Sequence, residues 1–159
     1  MTPIKNILVP VDFSDASKQA LRYACTIADA FGASLHVLHA AENPYLPGGY
    51  MEFYAPPPEF FERAEQDARR TLEDTLTEEE KIRYRAVLVD CTGVPAHEIL
   101  NYLRDQGNID LVVMSTHGRG GVARLMMGSV ADKVVRAAPC PVLTLRPSEE
   151  ASRPASRAA

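Results

Sequence analysis

A chain of 159 residues is long enough for one domain with a sizeable core and too short for two of ordinary size. Apolar residues make up 46% and charged residues 24%, which excludes a wholly disordered chain, and no run of about 18 apolar residues exists to cross a membrane. The net charge of −4, with no basic stripe, excludes nucleic acid and anionic membranes as partners recruited by charge alone.

The opening residues, Met1 to Asn6, hold no secretory apolar core with a cleavage site. The cysteines, Cys25, Cys91 and Cys140, are widely spaced and form no CxxC pair. Both features point to a cytoplasmic protein whose thiols are small buried or half-buried side chains.

Ile4 to Pro10 is short, rich in β-branched residues and closed by proline, which predicts a buried strand. Ser14 then predicts a helix N-cap with Asp15 in the first turn. Ala20, Leu21, Ala24, Ile27, Ala28 and Phe31 recur at helical spacing, and Gly32 supplies the stop. Ser34 to Ala40 reads as a second strand. Residues 41–58 form the most proline-dense stretch, a surface flap. A helix follows from about Glu59, with Phe61, Ala64, Ala68, Leu72 and Leu76 as its apolar stripe. Glu78-Glu79-Glu80 reads as a solvated turn or a frayed helix end.

Tyr84 to Val89 predicts a third strand. Pro95 fits the first position of a third helix, with Ile99, Leu100 and Leu103 inward and Gly107 near its end. Asp110 to Met114 is almost wholly apolar, as a strand covered on both faces must be. After a glycine-rich segment, Ser129 predicts the cap of a fourth helix running to about Ala137. Pro139-Cys140-Pro141 ends it, and Val142 to Leu145 is a fifth strand. Residues 147–159 lack periodicity and read as a disordered tail after a single domain spanning 1–146.

Strands alternating with helices predict an α/β fold: one doubly wound, open, parallel sheet with helices on both faces. Ligands of such sheets bind outside the carboxyl ends of the strands, where strand order reverses. Pro10-Val11-Asp12, Ala40 and the segment from Met114 to Val130 fall at those ends. The last runs Ser115-Thr116-His117-Gly118, then nine residues, then Gly128-Ser129-Val130 at a helix start. Helix-start amides lack internal partners, glycine lets a phosphate approach the backbone, and Ser129 adds a hydroxyl. The spacing is neither a GxxxxGK[ST] loop nor the dinucleotide fingerprint, whose third glycine, counted from Gly118, would fall at Ala123. Residue types alone leave anion binding and a plain turn before a helix both open.

The sequence resembles the universal stress protein family across residues 3–146. The resemblance rests on Ile7-Leu8-Val9-Pro10-Val11-Asp12-Phe13-Ser14, on Val113 to Gly121, on Gly128-Ser129-Val130 and on Ala138-Pro139-Cys140-Pro141-Val142-Leu143. The family's nucleotide motif is Gly, two residues, Gly, nine residues, Gly-Ser/Thr. Gly118, Gly128 and Ser129 match it, and Ser115 replaces the first glycine. The resemblance implies five parallel strands in the order 3-2-1-4-5, with ATP, and magnesium with it, across the ends of the first and fourth. Carried over position by position, Pro10, Val11 and Asp12 border the ribose and adenine, and Ala40 lies against the base. Met114 and Ser115 flank the ribose. Gly118, Arg119 and Gly121 line the phosphates, and Gly128, Ser129 and Val130 close the cradle.

Asp12 has two roles open to it: ordering ligand hydroxyls or a phosphate-bound magnesium, or capping the turn beside Ser14. His117 lies beside the cradle without a nucleophile or carboxylate pattern around it, so little or no turnover is expected. His36, His39 and His97 share no metal-ligand spacing. The expected role is a nucleotide-binding stress or regulatory module. The alternatives are a slow ATPase and a dimeric interaction protein without nucleotide. HxGH and SGGxDS strings of related adenylyl-transferring and pyrophosphatase folds are absent. A receiver domain would need a lysine after the fifth strand, where Arg146-Pro147 stands. In the implied order the fifth strand, residues 142–145, lies at an edge with no charge or internal proline to block pairing, which predicts a homodimer through it.

Overall fold

The first strand, β1, runs from Asn6 to Val11 in the computed structural model, which describes residues 3–42, 58–116 and 127–146. Its alternation sends Ile7, Val9 and Val11 to one face and Leu8 to the other, all buried. Pro10 lies inside this strand and does not end it. The consequence shows in the ladders. Pairing with β2 (Ser34–Ala41) continues to Val11 against His39, whereas pairing with β4 (Leu111–Ser115) stops at Leu8 against Val112. Proline has no N–H to give to a ladder.

The sheet has five parallel strands in the order β3-β2-β1-β4-β5, with β3 at Val87–Thr92 and β5 at Val142–Leu145. Helix α1 (Asp15–Phe31) and helix α2 (Pro58–Glu73) cover one face, where Ala20, Leu21, Ala24 and Leu72 pack on the odd-numbered residues of β1. Helix α4 (Pro95–Gln106) and helix α5 (Ser129–Ala137) cover the other, placing Ile99, Leu103, Ala131 and Val134 against Leu8 and Val112. No described helix is long and apolar enough to cross a membrane.

Local chemistry sets the helix ends. The Ser14 Oγ accepts from the Ser17 amide at 3.2 Å, and Gly32 closes α1 in the left-handed region at φ 66°. Gly107 does the same for α4 at φ 62°, with Pro95 in its first turn. Phe31, expected on the inner stripe of α1, is 53% exposed: it is the last helical residue, at the end of the helix.

Two expectations fail together around residue 80. Glu78 to Arg83 is a short helix, α3, and neither a turn nor a frayed end, although Glu78 and Glu79 are exposed as expected. Thr77 and Glu80 form a reciprocal capping box, and the Arg22 guanidinium donates to Glu80 at 2.5 Å. The Thr77 amide bonded to Glu80, with Arg22 adding to it, holds that carboxyl below its ordinary value. The third strand therefore starts at Val87, not Tyr84. Tyr84 is buried as the C-cap of α3, its hydroxyl 3.2 Å from Asp29, and Arg85 turns the chain at φ 44°. The alternation of Tyr84, Ala86 and Leu88 imitates a strand one turn too early. A third correction concerns α5: Gly128, extended at φ −60° and ψ 152°, is its N-cap, and Ser129 is the first helical residue. The flap over 43–57, the glycine-rich segment 117–126 and the tail 147–159 lie outside the described residues.

His36 on β2 is buried, with its Nδ1 2.7 Å from the Tyr102 hydroxyl of α4. Burial lowers its pKa below the ordinary imidazole value of about 6.5. The unfolded chain then binds the proton more readily. The stability this residue contributes is complete above the unfolded pKa and is lost as pH falls below it toward the folded value. Melting temperatures measured from neutral to mildly acid pH should fall, and a His36→Gln chain should show a shallower fall. Equal slopes in the two chains would refute the assignment.

Candidate functional site

Where the β1–β4 ladder stops, the two strands part and a cleft of about 1010 Å³ opens over the carboxyl end of the sheet. Each sequence-predicted site residue within the described regions lines it. Pro10, Val11 and Asp12 come from the end of β1 and Ala40 from β2. Met114 and Ser115 come from β4, and Gly128, Ser129 and Val130 from the start of α5. Gly118, Arg119 and Gly121, with His117 beside them, fall outside the described residues.

Thr116 organises the side next to β4. Its amide donates to the Leu145 carbonyl at 2.8 Å, and its own carbonyl accepts from the Gly128 amide at 2.7 Å. Thr116 and Gly128, which flank residues 117–127, are thereby joined directly, and Thr116 is tied to β5. The first intrahelical bond of α5 runs from the Asp132 amide to the Gly128 carbonyl. The amides of Ser129, Val130 and Ala131 precede it and have no partner within the helix, and all three residues line the cleft. The helix dipole adds partial positive charge at the same place.

Asp12 performs the capping role. Its Oδ1 accepts from the Ser14 hydroxyl at 2.5 Å and the Ser14 amide at 3.0 Å, and its amide donates to Ser17 Oγ at 3.4 Å. Ser14 Oγ thus holds the carboxylate on one side and the Ser17 amide on the other. This fastens the end of β1 to the start of α1 while keeping Asp12 on the cleft wall.

On the β2 side the sequence reading named Ala40 and missed its neighbours. Phe13 takes φ 65°, a left-handed conformation that costs a bulky residue about 1–2 kcal/mol. That turn lays its ring on His39, with centroids 4.3 Å apart and planes 25° apart. His39, 7% exposed, lines the cleft and places its Nδ1 2.9 Å from Asp90 Oδ1. Arg69 of α2 approaches the other Asp90 oxygen at 3.9 Å. One face of α2, with Ala64, Asp67, Ala68 and Thr71, closes this lobe. The adjacency of His39 to Ala40 was the one signal in the sequence. The positive φ of Phe13 and the placement of α2 were beyond its reach.

Asp12, Glu42 and Asp67 give the described wall an acidic component opposite the α5 amides. No group of three histidine, cysteine or acidic side chains suited to a metal ion occurs among the described residues. An acidic wall facing free helix-start amides suits an anion that arrives with its own cation.

Residues 3–146 match the universal stress protein family. The chain belongs to that family. A universal stress protein of Thermus aquaticus is 37% identical over 155 residues, covering 89% of this chain and 98% of its own. Among solved structures, the universal stress protein UspA from Lactobacillus plantarum is 28% identical, with a TM-score of 0.71 over 92% of this chain and all of that one. Two more distant members share the fold. A universal stress protein in complex with cAMP is 22% identical, with a TM-score of 0.62 over 92% of this chain and all of its own. The protein from Archaeoglobus fulgidus in complex with dAMP is 24% identical, with a TM-score of 0.55 over 90% of this chain and 98% of its own.

Proposed function

We propose that this universal stress protein is a cytoplasmic regulatory module that binds ATP with magnesium at the carboxyl ends of β1 and β4, with little or no turnover. The observation that carries the reading is the cleft at the point where the β1–β4 ladder stops, walled by the open amides of α5. Phosphates fit that helix start, with the Ser129 hydroxyl as a further donor. The ribose lies between Asp12 and Met114-Ser115, and the base reaches toward Ala40. Gly118, Arg119 and Gly121 complete the phosphate side in this reading. A magnesium ion bound with ATP would neutralise phosphate charge, and Asp12 is the carboxylate placed to meet its hydration shell. The adenine nucleotides named with two structural relatives support the same ligand class.

The β2 lobe holds a histidine–aspartate pair, yet it stands on the far side of β1 from α5. Two strand spacings, about 10 Å, separate it from the phosphate end. That separation argues against a base acting on the terminal phosphate. The homodimer through β5 belongs to the same reading, since β5 is an edge strand with four half-buried residues.

Calorimetry with magnesium-ATP tests the proposal, together with phosphate release from the same sample. Saturable binding with turnover far below about 10 per second is the expected result. No binding at millimolar concentration would move the protein to the interaction-only class. Release at ordinary enzyme rates would make it an ATPase.

A further inference from the structure

His39 is a buried imidazole with one ring nitrogen accounted for. Nδ1 is held by the Asp90 carboxylate at 2.9 Å, and one ring face is covered by Phe13. A carboxylate accepts, so in the neutral imidazole the proton sits on Nδ1 and Nε2 carries a lone pair. Nε2 has no hydrogen-bond partner among the described residues, although His39 is only 7% exposed and lines the cleft. A buried acceptor left unmatched costs free energy until a donor meets it.

The position of His39 says which part of a ligand would do so. In the order β2-β1-β4 it pairs across β1, opposite Val11, while the α5 amides stand beside β4. A nucleotide with its phosphates at α5 and its sugar over β1 extends its base toward β2.

From this we infer that His39 is a base-selecting residue, whose Nε2 accepts a hydrogen bond from an exocyclic amine of the nucleotide's base. The selection favours a 6-aminopurine over a 6-oxopurine, because the oxo group presents a second acceptor to the Nε2 lone pair. Asp90 is a positioning residue: it fixes the tautomer and so decides that Nε2 accepts. Phe13 fixes the plane of the ring. The inference rests on the nucleotide reading above and adds to it the residue that reads the base.

The test compares magnesium-ATP with magnesium-ITP at mildly alkaline pH, where the two ligands differ in amine against carbonyl on the base. The unaltered protein should bind ATP about threefold to tenfold more tightly, the range of one neutral hydrogen bond. His39→Ala should bring the two affinities together, chiefly by losing ATP affinity. Asp90→Asn should narrow the preference while retaining the imidazole. Nitrogen NMR of the unaltered protein, labelled at histidine, needs no variant to fold. The His39 Nε2 resonance should sit at the position of a neutral acceptor and move toward a hydrogen-bonded one with ATP, but not with ITP. Equal ATP and ITP affinity in the unaltered chain, a preference that survives in a folded His39→Ala chain, or an unmoved Nε2 resonance would each overturn the inference and leave nucleotide binding standing. Failure of both nucleotides to bind the unaltered chain would overturn both.

Discussion

Replacing Gly128 with valine should abolish ATP binding while leaving the fold in place. Gly128 lines the cleft immediately before the open amides of α5. Its φ of −60° and ψ of 152° are ordinary extended values, so valine meets no backbone strain there. Its amide bond to the Thr116 carbonyl survives the change, and no side-chain cap exists to be lost. Valine is a poor N-cap, which costs about 1 kcal/mol and lowers the melting temperature by about 2–4 °C. The branched side chain, however, occupies space through which a phosphate must reach the backbone. Affinity should fall by about a hundredfold or more, equivalent to about 3 kcal/mol. Calorimetry and a thermal melt on the same sample separate the two effects. Unchanged affinity in the folded variant would remove the α5 start from the site.

Thr144→Pro should convert the expected homodimer to monomer. The Pro141 and Leu145 carbonyls accept from Val112 and Thr116 of the β4 side, so alternation turns the odd-numbered backbone groups of β5 inward. Thr144 then faces its N–H away from β4, toward the open edge. Proline removes that outward donor and spares the internal ladder. A two-fold interface loses the bond twice, which predicts a dissociation constant about tenfold to a hundredfold higher. Light scattering across micromolar concentrations checks it. A monomeric unaltered chain would refute the homodimer, and a variant that stays dimeric would place the interface elsewhere.

The alternation of elements was legible because the three inner strands of this sheet, β2, β1 and β4, are covered on both faces. Such strands read as apolar runs, as in Leu111 to Met114, and the helices between them announce their ends through Ser14, Gly32, Pro95 and Gly107. Strand order is a different matter. It came from resemblance, since periodicity carries no information about neighbours. The β1, β4 and α5 side of the site was legible for a related reason: glycine, serine and proline at strand ends add little to a core and serve turns or the close approach of a ligand. The β2 side, Ala40 apart, was not. His39 gains its meaning from Asp90, 51 residues away, and from a backbone turn at Phe13 whose energy is supplied by packing. The errors near residue 80 have the opposite origin. There a local device, the Thr77–Glu80 capping box, outweighed the polarity of three successive glutamates.

The strand order also dates the site within the life of the chain. β1 is among the first segments to leave a ribosome, but its neighbour β4 begins at residue 111, and α5 begins at residue 129. Everything between them must be made before the two walls of the cleft can meet, and closing so long a loop is slow compared with forming local helix. A nascent chain halted before α5 has the β2 wall and lacks the helix start opposite. Ligand can therefore reward only the nearly finished protein, so binding reports on completed synthesis as well as on concentration.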